Sequence, residues 1–208
     1  MRLRFLAFAP MAAACAALLA GCGSARPIKY YSLDPPPITP AARPLDVSLL
    51  IGHISAPILY RDTRIVYRTG TNEMGLYDDH RWAESPAQMV EEMLLESLRK
   101  SGRYRSVQLV SSNAQGDYTI RGRIERFEQV EGKPMTARVW LHLRLYDPKD
   151  GRTVWTQNYE QDEDVAGSEF SSVVAALDHN LQRGIQELTG GLDQYLSAHP
   201  RAASSPAN

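Results

Sequence analysis

The chain has 208 residues, enough for one domain with a real core plus accessory segments. Lys and Arg number 23 against 24 Asp and Glu, a net charge of −1, so no polybasic surface for nucleic acid is indicated. Its two cysteines, Cys15 and Cys22, give no disulfide framework.

Met1-Arg2-Leu3-Arg4 is a short basic start, and no charged side chain follows from Phe5 to Gly21. That order is a secretory signal, and the Ala-rich run, interrupted by Pro10, is marginal as a spanning helix. Leu19-Ala20-Gly21-Cys22 resembles the bacterial lipobox. Small side chains suit the scissile bond, and the thiol is the nucleophile that accepts a diacylglyceryl group. An uncleaved anchor, or an ordinary signal peptide that happens to meet a cysteine, is the alternative. Residues 1–21 are thus the expected signal peptide, and Cys22 the lipid attachment residue. Loss of Arg2 and Arg4 leaves a mature net charge of −3, and no internal disulfide is possible. Two or three acyl chains anchor a protein firmly without spanning, each buried methylene contributing about 0.8 kcal/mol.

Residues 22–29 make a lipidated terminus and short tether. Fully extended, residues 23–29 reach about 25 Å, so the domain is held close to its membrane. Tyr30-Tyr31-Ser32-Leu33 is the first candidate strand, rich in aromatic β-formers. Pro35, Pro36, Pro37, Pro40 and Pro44 then form a stiff connector that no helix or central strand accepts. Alternation of Leu45, Val47, Leu49 and Ile51 predicts a half-buried strand, closed by Pro57. Arg64–Arg68 and Met74–Tyr77 predict a hairpin around Gly70-Thr71-Asn72.

A helix follows with clear boundaries. Ser85 fits the N-cap, Pro86 the first helical position and Gln88 a capping box, while Gly102 terminates. Val90, Met93, Leu94 and Leu98 form its apolar stripe. Strands are expected at Arg103–Val110 and around Tyr118, Ile120 and Ile124. From Met135 to Leu145 every odd position is apolar, while Arg138, Trp140, His142, Arg144 and Tyr146 take the other face. A turn at Asp147–Gly151 returns the chain into a strand from Arg152 to about Tyr159. Asp162-Glu163-Asp164 then reads as a solvated connection. Apolar residues from Phe170 to Leu196 recur every three or four positions, a long helix in which a break or bend is expected at Gly190-Gly191. Residues 198–208 read as a disordered tail. The expected fold is a single α+β domain over 30–197, a largely antiparallel sheet with two helices packed on one face.

No nucleophile elbow, P-loop or dinucleotide fingerprint is present, and no histidine has a partner at metal-ligand spacing. Neither a catalytic site nor a cofactor is expected, beyond covalent lipid on Cys22. Asp78-Asp79-His80-Arg81-Trp82 mixes acid, base and aromatic directly before the capped helix, and reads as a turn or salt-bridge cluster before a catalytic dyad.

Together the lipobox, the KYYSL segment, Pro57 with Leu59, Arg64-Ile65-Val66-Tyr67-Arg68 and His80-Arg81-Trp82-Ala83-Glu84 resemble the ABC-type transport auxiliary lipoprotein family, which includes the paraquat-inducible protein C type. The resemblance extends over roughly Lys29 to Leu196, closest in the RIVYR and HRWAE segments. It implies an accessory subunit beside an ABC permease and ATPase and an MCE-domain protein, moving lipids or other hydrophobic compounds across the periplasm. It brings no catalytic residues. Gly23 after Cys22, rather than Asp, implies an outer-membrane anchor facing the periplasm. Candidate partner contacts are Tyr30, Tyr31, His80, Arg81 and Trp82, and a homo-oligomer could surround a tubular partner. A lipid-binding carrier is the alternative, and an envelope enzyme the weakest one.

Overall fold

The computed structural model describes residues 26–41, 43–111 and 113–200. The lipobox with Cys22, and residues 201–208 of the C-terminal tail, lie outside them. In chain order the elements are β1 (Lys29–Tyr31), β2 (Leu45–Ser55), a 3-10 turn (Ile58–Arg61), β3 (Arg64–Arg68), β4 (Met74–Trp82), α1 (Pro86–Lys100), β5 (Tyr104–Leu109), β6 (Tyr118–Val130), β7 (Thr136–Asp147), β8 (Arg152–Asp164) and α2 (Phe170–Ala198).

All eight strands join one sheet, and β6 is its trunk. On one edge β6 pairs antiparallel with β7 over its whole length, and β7 pairs antiparallel with β8. The other edge is shared. β2 lies parallel along the first half of β6, from Leu49↔Tyr118 to Ser55↔Arg123. β3 lies parallel along its end, from Val66↔Glu128 to Arg68↔Val130. Between them the chain steps away through Pro57 and the 3-10 turn. β5 flanks β2 in parallel, while β4 hairpins back on β3 and carries β1 in parallel at the far edge. The sheet is therefore largely antiparallel in its longest ladders, with parallel pairings where the edge of β6 is divided.

Both helices cover the same face, α1 over β2 and β5, α2 over β7 and β8. In β7 the odd residues Ala137, Val139, Leu141, Leu143 and Leu145 are buried beneath them, as the period of two requires. α1 starts as its sequence predicts: the Ser85 backbone N–H donates to Gln88 Oε1 at 3.3 Å, closing a capping box with Pro86 next. It stops at Gly102, whose φ of +60° admits only glycine at low cost. The α2 stripe of Leu177, Leu181, Ile185, Leu188, Leu192 and Leu196 is buried, each full burial contributing about 1.5–3 kcal/mol.

Two expectations are corrected here. α2 runs unbroken through Gly190-Gly191, with Gly191 packed against the Gln157 side chain of β8. The acidic run is not a loop but the end of β8, held by cations around it. Arg138 Nη2 donates to Asp162 Oδ2 at 2.6 Å, and Arg183 Nη2 to Glu163 Oε2 at 2.8 Å.

Candidate docking site

Three residues of β1 build the site's edge. Lys29↔His80, Tyr30↔Arg81 and Tyr31↔Trp82 set its parallel register, and the Ala83 N–H donates to Tyr31 O at 2.7 Å. The proline connector that follows cannot turn helical, so it runs along the helix layer as a strap. Asp34 N–H donates to Asp178 Oδ1 (3.2 Å), Gln186 Nε2 to Pro37 O (3.2 Å) and Ala41 N–H to Ser101 O (2.8 Å). The strap thereby ties the first strand to both helices.

The structure brings two of the predicted contacts together. The Tyr31 hydroxyl lies 2.8 Å from His80 Nδ1, and the two rings stack at 5.7 Å. His80 in turn stacks on Phe170, the first residue of α2, with ring centroids 3.6 Å apart and planes 15° from parallel. Tyr77 meets Phe170 edge-on at 4.8 Å and donates its hydroxyl to Gln129 Oε1 at 2.7 Å. Burial lowers the His80 pKa, against the pull of Asp79, so the ring is held toward its neutral form. In the neutral ring Nδ1 accepts the hydrogen bond from the Tyr31 hydroxyl, and the ring proton sits on Nε2. Burial, then Asp79, raises the Tyr31 phenol, keeping it a donor. Asp79 Oδ1 stands 3.7 Å from His80 Nε2, beyond hydrogen-bond reach, so these two do not form an aligned acid–base pair.

The other three predicted contacts separate. Tyr30 points away from the cluster and is 63% exposed. Arg81 is half-buried, its Nε without a hydrogen bond among the described residues. Trp82 is a core residue, 1% exposed and 5.5 Å from the Phe127 ring, and presents no surface to a partner. Its place at the end of β4 turns it inward, which the charged residues before it concealed. Phe170 and Tyr77 join the cluster without a sequence signal beyond apolar periodicity. Next to the cluster an open cleft of about 780 Å3 is walled by Ile28, Tyr67 and Tyr77 and rimmed by Asp78, Asp79 and Glu131. Among the described residues no group of three or more His, Cys, Asp or Glu is placed to hold a metal. No described helix is long and apolar enough to cross a membrane. An aromatic ledge beside a strand edge that has no further partner among the described residues suits recognition of another surface.

Comparison with known proteins gives this arrangement a context. The crystal structure of protein XCC0632 from Xanthomonas campestris is similar over 82% of this chain and 99% of that one, with TM-score 0.71 and 23% identity. The hypothetical protein CT253 from Chlamydia trachomatis is similar in fold over 74% of this chain and 99% of that one, with TM-score 0.52 and 9% identity. The uncharacterized protein bll6063 of Bradyrhizobium diazoefficiens is 27% identical over 170 residues, 82% of this chain and 46% of that protein. This chain thus spans about half the length of that curated relative. Residues 31–188 match the family described as the ABC-type transport auxiliary lipoprotein component. The match takes in every element from the end of β1 through most of α2, and on it the chain belongs to the ABC-type transport auxiliary lipoprotein family.

Proposed function

We propose that the protein is a non-enzymatic docking subunit of an MCE-type ABC transport system for lipids or other hydrophobic compounds. Lipid on Cys22 holds it to the outer membrane, facing the periplasm. The observation that supports this reading best is the position of β1. The first described strand begins at Lys29, and the seven residues between it and Cys22 span at most about 25 Å. The edge of the sheet next to that tether carries no further strand among the described residues. Exposed Ile28 and Tyr30 stand on it, backed by the Tyr31–His80–Phe170 stack. A rigid, unpaired edge with aromatic side chains is what strand addition by a partner uses. Anchor and dock lie within a few residues of each other, so a partner bound here is brought to the membrane surface.

The test is a photocrosslinking amino acid placed at Tyr30 or at Ile28 in the full-length lipoprotein in cells. Adducts with an MCE-domain protein or an ABC permease component are expected. Their absence at both positions, with the protein correctly processed and membrane-bound, would overturn the docking role.

A further inference from the structure

Met89, Glu92, Met93 and Glu96 fall at the spacing that puts residues on one face of α1. The two methionines are buried in the core, yet two carboxylates share their face. Leu33 and Pro35 of the strap, with Glu84, complete the lining of a cleft of about 220 Å3 between strap and helix. Its apolar part is Leu33, Met89 and Met93, and its charged part is three carboxylates with no cation.

That charge is not answered from within the domain. Glu96 holds the Lys100 ammonium, while Glu84 and Glu92 form no ion pair among the described residues. With Lys100 counted, the cleft keeps a net charge of −2. Asp34 lies between Leu33 and Pro35, and its N–H donates to Asp178, so two further carboxylates stand on the strap side. The remaining cations of the two helices are engaged elsewhere. Arg99 Nε donates to Val107 O at 2.8 Å, and His179 and Arg183 each meet Glu163 at 2.8 Å. Lys29 of β1 lies in register with His80. Burial, then Glu84 and Glu91, raises the Glu92 carboxyl, as crowded negative charge requires.

Size and chemistry select the occupant. The volume falls below the roughly 300–1,000 Å3 of small-molecule sites, which sets aside a whole lipid. No three carboxylates converge as metal ligands among the described residues. A long basic side chain suits both parts of the cleft, with its methylene stem on Leu33, Met89 and Met93 and its charged head at Glu84 and Glu92. We propose that the cleft receives an arginine or lysine side chain of the transport partner that docks on β1. The proposal rests on the reading of β1 as the dock, and the chain supplies the continuity. Ser32 and Leu33 follow Tyr31 directly, so the cleft begins within about 7 Å of chain from the strand edge. The strap is pinned at Asp34 and Ala41, so the cleft is formed before a partner arrives. Main-chain pairing along β1 is indifferent to the partner's sequence, whereas a basic anchor in the cleft sets which partner residue lies beside it.

The experiment places a photocrosslinking amino acid at exposed Ser32 in the full-length lipoprotein in cells, with Ile28 reporting the strand edge. Adducts at Ser32 with an MCE-domain protein or a permease component are expected, and the crosslinked peptide should carry an arginine or lysine within a few residues. Glu84→Gln with Glu92→Gln should lower the Ser32 adduct about fivefold, the effect of two exposed ion pairs. The urea midpoint should stay unchanged or rise, since neither carboxylate holds a cation. Glu92→Lys should lower the adduct further, and changing the partner's basic residue to Glu should restore it. Undiminished adducts in the double variant would overturn the proposal, as would failure of that charge exchange to restore them. Adducts with lipid, or with a second copy of the chain, would also overturn it. Ile28 separates the two readings. Adducts at Ile28 with none at Ser32 remove the cleft and keep the dock, whereas absence at Ile28, Tyr30 and Ser32 alike removes the dock itself.

Discussion

Arg68 Nε donates to Glu128 Oε1 at 2.7 Å, and Arg68 Nη2 to Glu128 Oε2 at 3.2 Å, where β3 joins the end of β6. Glu128 is fully buried, and the Tyr60 hydroxyl adds a third contact to Oε2 at 2.6 Å. Tyr60 comes from the 3-10 turn, so the pair locks the excursion between β2 and β3 to the trunk strand. Burial, followed by Glu128, drives the Tyr60 phenol far up, so it remains a donor across the working range.

Removing one partner should therefore cost more than the pair contributes. Arg68→Ala leaves a buried carboxylate without its cation, and a loss of about 3–5 kcal/mol is expected. Replacing the set by apolar groups, Arg68→Met with Glu128→Leu and Tyr60→Phe, should recover most of that loss. Urea unfolding of the two variants checks the order. A triple variant as unstable as the single one would show that the network itself, rather than the stranded charge, sets the stability.

A second buried polar knot joins α2 to the sheet. Asn180 Nδ2 donates to Ala137 O at 2.9 Å and to Gln161 O at 3.0 Å, while Tyr159 donates its hydroxyl to Asn180 Oδ1 at 2.6 Å. Asn180→Ala abandons partners that remain buried, and a loss of at least about 2 kcal/mol is expected. Asn180→Asp should be worse near neutral pH, because a carboxylate would face two carbonyl oxygens in a buried site. Thermal melts of both variants settle the ranking.

The residues that were legible in sequence are those with a single strong physical cause. Odd positions of β7 are apolar because one face is covered, and α1 declares itself through Ser85, Pro86, Gln88 and Gly102. The parallel pairing of β2 with β5 and β6 was not legible, since alternation shows a face and never a neighbour. Asp162 and Glu163 looked like loop because their cations, Arg138 and Arg183, come from other elements. At the site, Tyr31 and His80 were readable by type, yet their meeting depends on the β1–β4 register and on Phe170, far along the chain. Trp82 was misplaced for the same reason: strand direction, not its charged neighbours, decides which way it points.

His80 links the cluster to pH. Its pKa is depressed in the folded state by burial, so the unfolded chain binds its proton more readily. The stability this contributes is complete above the unfolded value of about 6.5 and is lost as pH falls through the lower folded value. Acidification from pH 7.5 should lower the urea midpoint of the native protein in that window. In His80→Phe, which keeps a flat ring against Phe170, this component of the slope should vanish. An unchanged slope would mean that His80 does not carry it.

Tyr30 and Phe170 separate contact from support. Tyr30 is 63% exposed, so Tyr30→Ser should change stability by no more than about 0.5 kcal/mol. Phe170 is half-buried beneath His80, and Phe170→Ala should cost about 2 kcal/mol by unstacking the cluster. If the β1 edge is the dock, crosslinking through Ile28 should fall in both variants although only one is destabilised. Loss in Phe170→Ala alone would make the partner's response a consequence of stability. Loss in Tyr30→Ser at unchanged urea midpoint places an energetic contact on the exposed ring itself.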